Sequence, residues 1–155
     1  MLHTITQEQF LPLDMEAAWD FFSDPGNLCR ITPDWLKFTI SCPTPERMYA
    51  GQIVTYTINP FPGIRTAWVT EITQVREPYF FVDEQRLGPY RFWHHQHVFH
   101  SHNAGVLMQD IVNYALPLGS LGDLVHTFFV KRRLQTIFSF RQQTLKQMFP
   151  VHSKR

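Results

Sequence analysis

The sequence predicts an α+β fold, an antiparallel sheet of seven strands followed by one long C-terminal helix, and three observations carry that prediction. Five segments between Gln52 and Leu116 are rich in β-branched and aromatic residues and are cut at short intervals by Pro, Gly and Asn. Turn signals then stop after Leu121, and Gly122 to Phe149 carries apolar residues at helical spacing. Ahead of the meander, breakers at Asp24-Pro25-Gly26 and Thr32-Pro33-Asp34 leave room for two short helices after a first strand.

Taken in order, Thr4 to Leu13 alternates weakly and is closed by Pro12, so it reads as a strand. Asp14 then stands at the N-cap of a short helix whose Met15, Ala18, Trp19 and Phe22 fall at helical spacing. A second short helix fits Asn27 to Ile31, and the apolar run Trp35 to Cys42 reads as the next strand. The meander follows as Gln52–Ile58, Thr66–Arg76, Tyr79–Arg86, Arg91–Ser101 and Val106–Leu116, with links as short as Glu77-Pro78, Gly88-Pro89 and His102-Asn-Ala-Gly105. Links this short make antiparallel neighbours. In the long helix Leu124, Val125, Phe128, Phe129, Leu134, Ile137, Phe138, Leu145 and Met148 form an apolar stripe that drifts midway, so its two halves are expected to pack on different surfaces. Residues 1–150 are expected to form one domain and residues 151–155 a frayed tail.

Composition narrows the function. The net charge is +1, with Lys and Arg scattered except at Lys131-Arg132-Arg133, so the basic stripe that a phosphate backbone requires is missing and nucleic acid is excluded as a partner. Aromatic residues make up 15% of the chain and charged residues only 17%, which leaves material for a cavity or an apolar contact surface. Cys29 and Cys42 lie apart without metal-type spacing and read as free thiols of a reducing compartment. The N-terminal residues show neither a basic n-region nor an apolar h-region, and no run of about 18 apolar residues occurs. A soluble, cytoplasmic protein is expected.

Five of the eight histidines fall in one strand-like stretch, Tyr90 to His102. Cross-strand partners in tight hairpins share a face, so loop lengths carry side-chain parity from strand to strand. Closing the Glu77-Pro78 link sets Gln74 opposite Phe81, Ile72 opposite Asp83 and Thr70 opposite Gln85. The next two loops set Asp83 near His95, Phe81 near His97 and His97 opposite Asp110. One face then holds Trp68, Thr70, Ile72, Phe81, Asp83, Gln85, Trp93, His95, His97, Phe99, Asp110 and Tyr114, while His94 and His100 look outward. Buried polar groups must be paired or solvated, so the two Asp and two His on this aromatic face either form a structural network or orient the polar end of a ligand.

Gly88-Pro-Tyr90, Trp93-x-His95-x-His97-x-Phe99, Gly105, Asp110, Tyr114-x-Leu-Pro-Leu-Gly119 and Leu121-Gly122, with the order strand, two short helices, six strands and long helix, resemble the bacterial SRPBCC ligand-binding proteins of the helix-grip fold. START lipid-transfer domains, the birch-pollen allergen group, polyketide cyclases and ubiquinone-binding proteins are relatives, and the likeness runs from Phe10 to Leu145. The resemblance implies a curved seven-stranded sheet wrapped around the C-terminal helix, with an apolar tunnel between them. It also implies that loops 59–65, 87–90 and 117–121 gather at one mouth. Phe61, Ile64, Leu118 and Leu121 would form a lipophilic rim capable of transient membrane contact. The superfamily carries many ligands on one scaffold, so the resemblance names no single one.

Three readings of the site follow. A carrier or sensor of a hydrophobic molecule (a lipid, quinone, isoprenoid or aromatic polyketide-like compound) asks least of the sequence. His95, His97 and Asp110 would hold its polar head, with Asp83 and Gln85 beside them. Tyr56, Trp68, Phe81, Trp93, Phe99, Tyr114, Phe128 and Phe129 would supply walls. A polyketide cyclase-like enzyme would instead use His95 or His97 as general acid or base, held in one tautomer by Asp83 or Asp110, on an enolisable or dehydratable ketone. No nucleophile motif, phosphate loop or cofactor fingerprint accompanies these residues, so no cofactor is expected and a non-catalytic role is preferred. In the third reading side chains fill the core and the domain serves a partner protein. A divalent ion on His95, His97, Asp83 and Asp110 is tolerable chemistry, but strand histidines beside carboxylates more commonly form a hydrogen-bonded pair, and no metal is expected.

Overall fold

In the computed structural model, which describes residues 1–61, 63–119, 122 and 126–151, the chain runs β1 (His3–Leu11), α1 (Met15–Ser23), α2 (Pro25–Arg30), β2 (Thr39–Ile40), β3 (Gln52–Phe61), β4 (Ile64–Arg76), β5 (Phe80–Leu87), β6 (Phe92–His102), β7 (Gly105–Ala115) and α3 (Lys131–Met148). The strands form one open antiparallel sheet in the order β1-β7-β6-β5-β4-β3-β2. Leu121, Leu124, Val125 and the tail from residue 152 lie outside the described residues.

Local chemistry sets the two short helices. Asp14 accepts a hydrogen bond from Ala17 N at 2.7 Å and caps α1, and Asp24 accepts one from Gly26 N at 2.8 Å and caps α2, with Pro25 in the first turn. Each such cap is worth about 1 kcal/mol. Trp19 of α1 packs edge-on against Phe81 and Phe99 of the sheet. The other end of that core is closed by Leu145, Met148 and Phe149 of the α3 end.

Two expectations are corrected here. Trp35–Cys42 is not a continuous strand: Pro33 leads into a 3-10 turn at Asp34–Leu36, Lys37 takes a left-handed conformation (φ 49°), and only Thr39–Ile40 pairs with β3. The turn buries Leu36 and leaves Trp35 at the surface. The β4–β5 link is also one residue longer than expected. Arg76 pairs with Phe80, and Val75 rather than Gln74 opposes Phe81. A register shift between Ile72 and Gln74 then absorbs the extra residue, so Ile72↔Asp83 and Thr70↔Gln85 stand as the shorter turn would have placed them.

α3 lies on the inward face of the sheet. Leu134, Phe138, Arg141 and Leu145 are buried at helical spacing, and Gln7 and Gln9 of β1 donate to the carbonyls of Phe138 and Gln142 at 3.4 and 3.2 Å. Leu134 and Phe138 join Trp93, Val112 and Tyr114 in a second core cluster, separate from the one around Trp19. Immediately before α3, His126–Val130 forms a turn of π-helix.

Candidate functional site: a cavity with a buried His-Asp ring

Between the two core clusters the molecule is open. A cavity of about 360 Å³ runs between the sheet, α1, α2 and α3. Its walls are apolar and aromatic: Phe22, Leu28, Ile31 and Phe38 on one side, Ile58, Trp68 and Ile72 from β3 and β4, and Leu134, Ile137 and Phe138 from α3. Phe61 at the end of β3, Pro89 and Tyr90 after β5 and Leu118 after β7 also line it, and Phe61 and Leu118 are exposed, which marks this end as the mouth; the expected loop 59–65 is shorter, because β3 runs to Phe61 and β4 begins at Ile64. There Arg133 stacks on Trp35, with its Cζ 4.1 Å from the ring centroid, and donates to the Pro60 carbonyl at 3.1 Å. The core is not filled by side chains.

The polar wall is built by strand register. Asp83 lies opposite His95 and His97 opposite Asp110, so four ionisable groups alternate across β5, β6 and β7 on one face. Their strongest contacts run diagonally: His95 Nε2 meets Asp110 Oδ1 and His97 Nε2 meets Asp83 Oδ2, each at 2.8 Å. The direct pairs close the ring, His95 Nδ1 to Asp83 Oδ2 at 3.3 Å and His97 Nδ1 to Asp110 Oδ1 at 3.2 Å, the latter out of line for a hydrogen bond. Phe81 stacks on His97 with ring centroids 4.0 Å apart, and the two imidazoles lie 3.8 Å apart.

Electrostatics follow from that geometry. Burial alone would raise the Asp83 carboxyl, but the charge of His95 and hydrogen bonds from both histidines outweigh it and hold the group below the ordinary carboxylate range. Asp110 is held low against the same burial cost by hydrogen bonds from His95 and His97. Burial pulls His95 down, yet the Asp83 charge and hydrogen bonds to Asp110 and Asp83 push it up to about 9. Tyr56, also in the cavity wall, is raised by burial and by the Asp83 charge, so its hydroxyl stays protonated.

The sequence of this chain matches no family model and no curated protein. Solved structures do match. A Chromobacterium violaceum protein aligns with TM-score 0.70 at 13% identity, covering 95% of this chain and 97% of its own. Ara h 8.0201 aligns at 0.65 and 16% identity, covering 95% and 99%. A ginseng major latex-like protein from Panax ginseng aligns at 0.65 and 9% identity, covering 96% and 98%. The chain has the helix-grip fold.

Within this helix-grip frame the expected site residues separate into four groups. Tyr56, Trp68, Phe81, Asp83, Trp93, His95 and His97 line the cavity. Phe99, Asp110 and Tyr114 share the inward face but sit behind the wall, as core packing or, for Asp110, as the partner that orients His95. Gln85 is used elsewhere: it donates to the Tyr90 carbonyl at 2.6 Å and accepts from Tyr90 N, fixing the β5–β6 loop. Gly88 is required by that clamp, because a Cβ there would come 2.4 Å from Gln85 Oε1. Phe128 and Phe129 are 65% and 61% exposed and are not walls. The π turn inserts an extra residue ahead of α3, so a phase extrapolated back from Leu134 at 3.6 residues per turn puts them on the wrong side.

Sequence reasoning missed Arg141. It is 9% exposed, lines the cavity, lies over Phe138 and stands 3.9 Å from Asp110 Oδ1. The signal was available, since an arginine on a stripe with Leu134, Phe138 and Leu145 is a cation on the buried face of the helix. Among the described residues, Asp83, His95 and His97 have ligand atoms within 4.8 Å of one another. A divalent ion there would need deprotonated imidazoles, whereas both nitrogens of His95 already face carboxylates. Among the described residues no helix is long and apolar enough to cross a membrane.

Proposed function

We propose that the protein binds and carries a hydrophobic small molecule, a lipid, quinone, isoprenoid or aromatic polyketide-like compound, in the cavity between the sheet and α3. The observation that carries this reading is the largely apolar cavity of about 360 Å³ with the ionisable groups Asp83, His95 and His97 clustered in its wall. Small-molecule sites have this composition and run from about 300 to 1,000 Å³. Asp83, His95 and His97 form the polar part of the wall that faces the ligand's polar end, and Asp110 fixes His95 from behind. Cys29 and Cys42, both free, fit a cytoplasmic setting. Native mass spectrometry of protein purified gently from its own host is expected to show a co-purified lipophile. A ligand-free protein that also fails to bind quinones and acyl chains would overturn the proposal.

An acid-base reaction on a bound ketone is the second reading, favoured by the presence of His95, His97 and Asp83 in the cavity wall. It is the weaker one because both nitrogens of His95 face carboxylates at 2.8 and 3.3 Å, and His97 Nδ1, the ring nitrogen of the pair without a hydrogen-bond partner, is buried.

The mouth extends the carrier reading to a membrane surface. Phe61 and Leu118 line the cavity and are exposed, and the exposed Ile64 pairs with Phe61, which supports this extension. The protein is expected to co-float with phospholipid vesicles, and Phe61→Ser, Ile64→Ser and Leu118→Ser combined should reduce the floated fraction several-fold. Flotation that is absent, or unchanged by the triple substitution, removes this part of the proposal.

A further inference from the structure

Arg141 is the feature that neither the packing of the fold nor the His-Asp ring accounts for. Its side chain is nine-tenths buried in the cavity wall, and its Nε–H has no acceptor. Its nearest anion, Asp110, is 3.9 Å from Nη1, beyond hydrogen-bond distance, and is already committed to His95 at 2.8 Å. A buried donor left without an acceptor is costly, more so when it carries charge. Arg133, at the mouth, lies eight residues earlier on the same helix, which sets Arg141 about 12 Å further in.

The charges around Arg141 decide what kind of acceptor fits. His95 has carboxylate oxygens 2.8 and 3.3 Å from its two ring nitrogens and is held protonated between them, whereas His97, with carboxylate oxygens at 2.8 and 3.2 Å, makes a hydrogen bond through Nε2 alone and needs to donate only one proton. His95 and Arg141 therefore supply two positive charges against the two of Asp83 and Asp110, and the quartet is neutral. A ligand carboxylate would add an uncompensated negative charge beside two buried carboxylates, whereas a carbonyl adds none. We infer that the inner end of the cavity is a subsite for an uncharged carbonyl oxygen that accepts a hydrogen bond from the terminal nitrogens of the Arg141 guanidinium, and that the ligand is a neutral ketone or ester with an apolar body rather than a fatty acid. This rests on the carrier reading above and narrows its ligand class.

Three probes of matched shape test it: methyl nonyl ketone, undecane and decanoate. Headspace partition gives the affinity of the first two, and calorimetry that of the third. The ketone is expected to bind about ten- to a hundredfold more tightly than undecane, the span of a hydrogen bond to a charged group, and more tightly than decanoate. Arg141→Lys keeps the charge balance but moves the donor. It is expected to remove most of the preference for the ketone while leaving undecane affinity unchanged. The carbonyl stretch of the bound ketone is expected at lower frequency in the wild-type protein than in hexane, and this readout does not depend on the variant folding. Equal affinity for ketone and undecane, or tighter binding of decanoate, overturns the carbonyl subsite and leaves the carrier reading standing. Failure of all three probes to bind overturns both.

Discussion

Asp110→Ala is expected to lower the unfolding free energy by about 3–5 kcal/mol. The Asp110 carboxylate is 6% exposed in residue terms and takes His95 Nε2 at 2.8 Å, with His97 Nδ1 at 3.2 Å and Arg141 Nη1 at 3.9 Å. Its removal leaves His95 and Arg141 facing the single carboxylate of Asp83, in a place where water cannot screen the excess charge. Glu8→Ala makes the contrast. It deletes only an exposed hydrogen bond from Gln109 at 2.9 Å and is expected to stay within about 0.5 kcal/mol. Urea unfolding followed by tryptophan fluorescence measures both. A loss at Asp110 no larger than that at Glu8 would mean that the ring carries no charge in the folded protein.

The same ring is expected to limit stability at both ends of the pH scale. Asp83 and Asp110 are depressed, so the stability they contribute is complete above the unfolded carboxylate value near pH 4 and is lost as the pH falls toward their folded values. His95 has the opposite sign. Raised to about 9, it contributes fully below the unfolded imidazole value near pH 6.5, and the contribution disappears as the pH rises through 9. At about 1.4 kcal/mol per pH unit the alkaline loss amounts to about 3 kcal/mol. The groups that face His95 are Asp83 from β5, Asp110 from β7, His97 from its own strand and Arg141 from α3. The acid and alkaline effects describe one set of contacts and are not additive. Unfolding free energies of the wild type should fall across the alkaline window, and those of His95→Gln should be nearly flat there. A wild-type profile that is flat or rising over that range contradicts a protonated His95.

A ring of this kind is a poor way to hold a sheet together. Replacing a whole buried ion cluster with apolar side chains of similar volume is commonly neutral or stabilising, even though removing one member is severe. Leu, Val and Phe at Asp83, His95, His97 and Asp110 would serve the core at least as well, which supports assigning the ring to ligand handling.

How much was legible depended on whether local rules governed the position. Burial alternates from Phe92 to Phe99 of β6 and all along β7, because one face of each is covered and a slip by one residue would invert every side chain; the parity of His95, His97 and Asp110 is therefore legible from loop lengths and pattern. The β4–β5 hairpin shows a limit to that method: turn length and bulge were both misjudged, and the two differences cancelled before Ile72. Trp35 to Cys42 was misjudged because an apolar run fits a strand and a turn equally well, and contacts distant in sequence, Arg133 over Trp35 and Leu36 in the core, decide between them. Arg141 was overlooked because the helix was read for its apolar residues, and a charge on the covered face carries its information as an exception to that pattern.

The pairing of β1 with β7 has a consequence for how the chain is made. His3 meets Tyr114 and Leu11 meets Val106, so β1 leaves the ribosome ahead of the other strands described, and its sheet neighbour among the described residues lies roughly 100 residues downstream. At about 5–20 residues per second, β1 waits several seconds as an unpaired segment with Gln9 and Leu11 of its inward face uncovered. Asp110 arrives on that same β7. Translation thus delivers the partner of β1 and the last member of the His-Asp ring together, while Arg141, which completes the charge balance, follows on α3.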